Sequence, residues 1–109
     1  MFTRDVVIET VRNYARRIED NGVHLRAVIL YGSFAKGTQH EWSDIDVALV
    51  ADEFTGFYFD DAKFIPYMGF KQPYPYTLIE AKTYATDYFR AGDPFIEEIK
   101  KEGIVILSR

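Results

Sequence analysis

Val7, Val11, Tyr14 or Ala15, and Ile18 recur at three- and four-residue steps through a stretch otherwise rich in Arg, Asn, Glu and Asp. That period places the apolar side chains on one stripe of an α-helix. Thr3 stands where a side-chain oxygen can cap the first turn, and Asn21-Gly22 supplies a break at the end. The period then changes. Leu25 to Tyr31 alternates and runs apolar, which predicts a strand buried largely on both faces. Ser33 to Lys36 fits one helical turn and Gly37 to Ser43 a polar loop. Asp44 to Val50 reads as a second strand, antiparallel or mixed beside the first.

The aromatic residues between Ala51 and Lys71 follow neither period, which predicts a long, partly helical connection packed on the core. Tyr74 to Ile79 predicts a third strand, and Pro73 and Pro75 favour an edge position because proline donates nothing to a ladder. Glu80 to Arg90 reads as helix, broken by Gly92. Asp93 and Pro94 then serve as N-cap and first-turn residue of another short helix. That helix carries Phe95, Ile96 and Ile99 and ends near Gly103, before a last strand from Ile104 to Leu107. Strands interleaved with helices predict an α/β or α+β sandwich, with a mixed sheet of about four strands packed against helices. No repeat or linker divides the 109 residues, so one domain over 1–109 is expected.

Composition narrows the function classes. Cysteine is absent, which excludes a disulfide framework and any thiolate metal site and points to a reducing cytoplasm. No basic-then-apolar leader opens the chain and no apolar run is long enough for a bilayer, so no membrane partner is expected. A net charge of −4 argues against an extended nucleic-acid footprint. It leaves room for a single nucleotide held through a cation, because the metal brings the positive charge. Aromatics make up 17% of the chain. Core filling explains most of those between Phe54 and Tyr76 better than the alternative, an exposed patch that docks a partner. His24 and His40 lack ligand-like spacing, and Arg16-Arg17 and Lys100-Lys101 read as solvated helix faces.

Candidate chemistry concentrates in Leu30-Tyr31-Gly32-Ser33-Phe34-Ala35-Lys36-Gly37 and Ser43-Asp44-Ile45-Asp46-Val47. Alternate positions on a strand share a face, so Asp44 and Asp46 point the same way about 7 Å apart along the chain. Two carboxylates so placed can share divalent cations, and a Gly-Ser turn can offer backbone N–H groups to a phosphate. Gly32 and Gly37 have P-loop spacing, but that loop needs Lys directly after the second Gly, then Ser or Thr. Thr38 and Gln39 follow Gly37 instead, and the P-loop is rejected.

Gly-Ser, a spacer and Asp-apolar-Asp form the pattern of the polymerase-β-like nucleotidyltransferase superfamily. The two segments resemble the minimal nucleotidyltransferases within it. Gln72-Pro73-Tyr74-Pro75-Tyr76-Thr77, and Asp93-Pro94-Phe95-Ile96-Glu97-Glu98-Ile99 with Gly103-Ile104, are similar to that family's later segments, so the likeness covers nearly the whole chain. It implies a nucleotidyltransferase-like fold and Mg²⁺-dependent transfer of a nucleotidyl group, AMP, from a nucleoside triphosphate, ATP, to a hydroxyl. Asp44 and Asp46 would be the catalytic acids and would hold Mg²⁺, two ions in all, through hard oxygen ligands. Gly32 lets the backbone approach a phosphate, Ser33 adds a hydroxyl donor, and Ser43 braces Asp44. Lys36, where the family more often has Arg, gives a point charge instead of a bidentate fork.

The family usually adds a third acid on a neighbouring strand. By the Pro73-Tyr74-Pro75-Tyr76 match that position is Gln72, whose amide cannot accept a proton as a base. Glu80 is the nearest acid downstream and reads as a first-turn helix residue, while Asp60 and Asp61 lie in the irregular connection. The domain is too short for its own acceptor pocket, so the acceptor is expected on another chain. The resemblance implies a HEPN-domain toxin protein, with a tyrosine hydroxyl as acceptor and this chain as antitoxin. Two other classes remain open. One is a catalytically degenerate module that binds nucleotide and partner, and the other is an interaction protein with no nucleotide affinity. Monomer and oligomer are both compatible with these readings.

Overall fold

The computed structural model describes residues 3–39, 44–65 and 74–109. Helix α1 (Arg4–Asp20) forms on the predicted stripe, burying Val7, Val11, Tyr14, Ala15 and Ile18. Thr3 Oγ1 accepts the Val6 N–H at 3.2 Å as its N-cap. Strand β1 (Leu25–Tyr31), helical turn α2 (Ser33–Lys36) and strand β2 (Ile45–Ala51) follow as the patterning predicts, and β1 and β2 pair antiparallel. Asp44 sits one residue ahead of β2.

The connection after β2 is partly helical, with α3 (Tyr58–Asp61) running into a 3₁₀ turn at Ala62–Phe64. Its aromatics divide. Phe54 is buried, whereas Phe57, Tyr58 and Phe59 are exposed, Phe59 by 92%. Core filling therefore accounts for only part of this segment. Asp61 is buried at its end: Oδ1 accepts from the Thr55 N–H at 2.8 Å and the Thr55 hydroxyl at 3.2 Å. Its Oδ2 accepts from the Gly56 N–H at 2.9 Å and the Thr83 hydroxyl at 2.5 Å. One carboxylate thus ties the aromatic loop to the strand beside it.

That strand corrects the sequence reading. Tyr76–Leu78 is a 3₁₀ turn, strand β3 runs from Ile79 to Ala85, and helix α4 is confined to Thr86–Ala91. Neither a strand over Tyr74–Ile79 nor a helix from Glu80 forms. Glu80-Ala81-Lys82 has good intrinsic helix propensity, but β2 offers an unpaired edge, and seven successive residues of β3 pair with it in parallel. The charged residues Glu80 and Lys82 suit the edge position that β3 takes.

Asp93 caps helix α5 (Pro94–Glu102), its Oδ1 accepting the Ile96 N–H at 2.7 Å. Strand β4 (Ile104–Ser108) then pairs antiparallel with β1. The sheet is four-stranded and mixed, in the order β3-β2-β1-β4, and its two faces carry separate cores. Val28, Leu30, Val47 and Leu49 meet α1 on one face. Ile29, Ala48 and Val50 meet Phe89, Ile96 and Ile99 of α4 and α5 on the other. Asp46 shares the parity of Ala48 and Val50, so its side chain belongs to the α5 face. Among the described residues no helix is long and apolar enough to cross a membrane.

Candidate active site

Antiparallel pairing sets Tyr31, the last residue of β1, opposite Asp46 on β2. The chain then turns at Gly32 with φ 72° and ψ −151°, a conformation that side chains other than hydrogen rarely allow. A Cβ built there would lie 2.2 Å from Asp46 Oδ2. The glycine therefore serves two needs at once, a left-handed turn and close approach of backbone to carboxylate. Helical turn α2 is braced from several sides. Gly32 O accepts the Ala35 and Lys36 N–H groups at 3.2 and 3.1 Å, and Gly37 ends the turn with φ 76°. Arg4 donates through Nε to Phe34 O at 3.3 Å and through Nη2 to Ala35 O at 3.1 Å. Sequence reasoning missed Arg4. The available signal was a cation in the first turn of α1, where the helix field disfavours it, so that it must serve elsewhere.

Asp46 is half-buried, and burial raises its carboxyl pKa above the ordinary aspartate value. The charges of Glu80 and Asp44 and a hydrogen bond with Glu80 raise it further, while Lys82 opposes them. Asp44, one residue ahead of β2, is therefore near enough for its charge to act on Asp46. Glu80 is not a first-turn helix residue. It lies on β3 in direct register with Asp46. Gln72 and Ser43 lie outside the described residues. Asp61 is committed to its four donors, and Asp60 is on the same short helix.

Lys36 is engaged by another acid. Its Nζ is 3.0 Å from Glu102 Oε2 at the end of α5, and that hydrogen bond raises its pKa. A second lysine, unremarked in the sequence, faces the acids instead. Lys82 shares the parity of Glu80, and its Nζ lies 5.2 Å above the ring of Phe95. Phe95 meets Tyr31 edge-on at 5.8 Å. The Tyr31 hydroxyl pKa is raised, first by burial and then by the charge of Asp46.

A cavity of about 620 Å³ runs along the outer edge of β3, lined in part by Tyr14, Tyr58, Ile65, Glu80 and Tyr84. Open space therefore adjoins Glu80.

The acids offer only carboxylate oxygens, the ligand class that suits Mg²⁺. Among the described residues, no three acidic or histidine side chains converge closely enough to hold a cation as they stand. Asp44 and Glu80 are both exposed, so their side chains can rotate toward the half-buried Asp46 at small entropic cost. Like charges crowd Asp46, and a divalent cation would relieve that crowding. The donor set fits the ion.

A glycine turn pressed against an acid-bearing strand, on a mixed sheet covered on both faces, is the architecture of a nucleotidyltransferase domain. A family model described as "Polymerase beta, Nucleotidyltransferase" matches residues 13–109, and the chain belongs to that family. A provisionally named nucleotidyltransferase from Sulfolobus solfataricus superposes with a TM-score of 0.66 at 14% identity, covering 97% of this chain and 84% of that one. A crystal structure of a toxin–antitoxin with AMP-PNP superposes with a TM-score of 0.61 at 18% identity, covering 90% of this chain and 73% of that one. These likenesses show the fold. No curated protein sequence matches the chain.

Proposed function

We propose that this chain transfers AMP from ATP to a hydroxyl, with Asp44, Asp46 and Glu80 as the acids that hold Mg²⁺. The observation that carries the reading is the register pair Asp46–Glu80 beside Gly32. Bound Mg²⁺ would neutralise the phosphates and orient the α-phosphate for attack. Gly32 and Ser33 approach the triphosphate with backbone N–H groups, and Ser33 adds its hydroxyl. Lys36 can contribute only by leaving Glu102. In the transfer, the acceptor oxygen forms a bond to the α-phosphorus as the bond from that phosphorus to the α–β bridging oxygen breaks. Pyrophosphate leaves with the electron pair, and the Glu80 carboxylate takes the acceptor proton.

The expected acceptor is a tyrosine hydroxyl of a HEPN-type toxin partner, with this chain as a cytoplasmic antitoxin. Family membership and the likeness to a toxin–antitoxin structure support that expectation. The exposed Phe57, Tyr58 and Phe59 supply an aromatic surface next to the β3 cavity. The rival reading, a module that binds without turnover, rests on the missing carboxylate at Gln72. The register of Glu80 with Asp46 supports turnover over that reading.

Labelled ATP, Mg²⁺ and the product of the neighbouring gene test the proposal. Label should pass to the partner, and Glu80→Gln should lower the rate by about 10²- to 10⁴-fold. Gln72→Glu should leave the rate within about threefold of wild type. A large gain from Gln72→Glu, with no loss from Glu80→Gln, would return the third acid position to residue 72. Absence of transfer would leave a binding module.

Gly32→Ala gives an independent check of the turn. The added methyl occupies the place of Asp46 Oδ2 and imposes a strained φ, so transfer should fall at least about 100-fold. The strain itself should cost about 1–2 kcal/mol in denaturant unfolding. A variant with wild-type rate would show that the approach of Gly32 to Asp46 is incidental.

A further inference from the structure

We infer that Lys82 is the side chain that grips the α-phosphate of the bound nucleotide, at the reacting end of the site and away from the phosphate tail. The inference rests on the transfer reading above. Three observations carry it.

The first is placement. In the parallel β2–β3 pairing, Asp46 stands opposite Glu80 and Ala48 opposite Lys82, so Lys82 is one step along the same face from both acids. The second is availability. Among the described residues the ion pairs engage Arg12, Arg26, Lys36, Lys100 and Arg109, whereas Lys82 makes none despite the acids around it. Its ammonium rests over Phe95, and Phe95 in turn contacts Tyr31, the residue that leads into Gly32. A contact of this kind orients the side chain yet leaves the charge free to meet an anion. Lys36, by contrast, is held by Glu102.

The third is the order of the sheet. Strand β3 lies on the far side of β2 from β1 and the Gly32-Ser33 turn. A triphosphate whose tail meets that turn and whose α-phosphate meets Asp46 would present the α-phosphate, not the tail, to β3. Negative charge concentrates at that point, where the nucleotide meets Asp44, Asp46 and Glu80. A fixed cation there stabilises the phosphorane-like arrangement as the new bond forms. Lysine suits the task as a compact charge on a long stem.

Lys82→Gln, Lys82→Arg and wild type distinguish the outcomes. Lys82→Gln should lower kcat for AMP transfer about 100-fold while KM for ATP rises less than about tenfold. Lys82→Arg should recover most of the rate, and thermal unfolding should be unaltered in both variants, since the side chain is exposed. In a nuclear magnetic resonance titration at millimolar ligand, Lys82→Gln should weaken AMP and ATP by the same factor, about three- to tenfold. This arm needs no turnover. A loss for ATP without one for AMP would assign Lys82 to the phosphate tail and overturn the inference, as would unchanged binding and rate. If wild type bound neither nucleotide, the nucleotidyl-transfer reading itself would fall, taking the role of Lys82 with it.

Discussion

Asp46→Asn is expected to abolish nucleotidyl transfer and, at neutral pH, to make the protein more stable. On the activity side, the substitution removes the central carboxylate of the proposed site, and a loss of at least about 10³-fold follows from the loss of cation-assisted charge stabilisation. The stability gain follows from linkage. Burial and the neighbouring Glu80 and Asp44 charges raise the folded-state pKa of Asp46 above its unfolded value. Folding therefore disfavours the ionised form. The stability that depends on the protonated group is complete below the unfolded pKa and is lost as pH rises through the folded one. Asparagine has no such term, so the variant and wild type should agree in acid and diverge as pH rises through the carboxylate range. Solvent still reaches Asp46, which limits the gain to about 1 kcal/mol, several degrees in Tm for a chain of this size. Mg²⁺ with ATP should narrow the gap by stabilising wild type alone. Denaturant unfolding of both proteins across that pH range reads the effect, and a variant less stable than wild type at neutral pH would contradict it.

The largest loss of stability is expected at a residue outside the site. Asp61→Ala strips the acceptor from two backbone N–H groups and two hydroxyls and leaves a small void in a buried place. Breaking a buried charged group out of such a network costs about 3–5 kcal/mol. Domains of this size hold roughly 5–15 kcal/mol in total, so much of the reserve would go. Asp61→Asn keeps one acceptor oxygen but points an amide N–H₂ at donors, for a loss of about 2–3 kcal/mol. Thermal and urea unfolding of the series measures this. A cost under about 1 kcal/mol for Asp61→Ala would show that the loop at residues 55–61 is not held through this carboxylate.

The two predictions mark what local pattern could and could not disclose. The Gly32 turn and the place of Asp46 on β2 were legible because each lies in a short local pattern, a turn glycine and a run of strand residues. The helical stripe of α1, the Asp93-Pro94 start of α5 and both β1 and β2 were legible for the same reason. Strand β3 was not. Its inward residues Ile79, Ala81, Thr83 and Ala85 are mostly small, so the alternation is faint, and a true helix at Thr86–Ala91 follows directly. Only the free edge of β2 decides the matter, and no window of sequence contains it. That one misreading hid the partnership of Glu80 with Asp46 and the parity of Lys82. Arg4 and Asp61 were likewise hidden, because Phe34, Ala35 and Thr83 are reached across 22 residues or more.

The account depends on Asp44, Asp46 and Glu80 holding one cation-bound triphosphate together, and Mn²⁺ binding measures that directly. Electron paramagnetic resonance of Mn²⁺ titrated into the protein with a non-hydrolysable ATP analogue should show saturable binding to wild type. Affinity should be weakened at least about tenfold by Asp46→Asn and by Glu80→Gln separately. Equal Mn²⁺ affinity in wild type and Glu80→Gln would contradict the grouping of these three acids into one site.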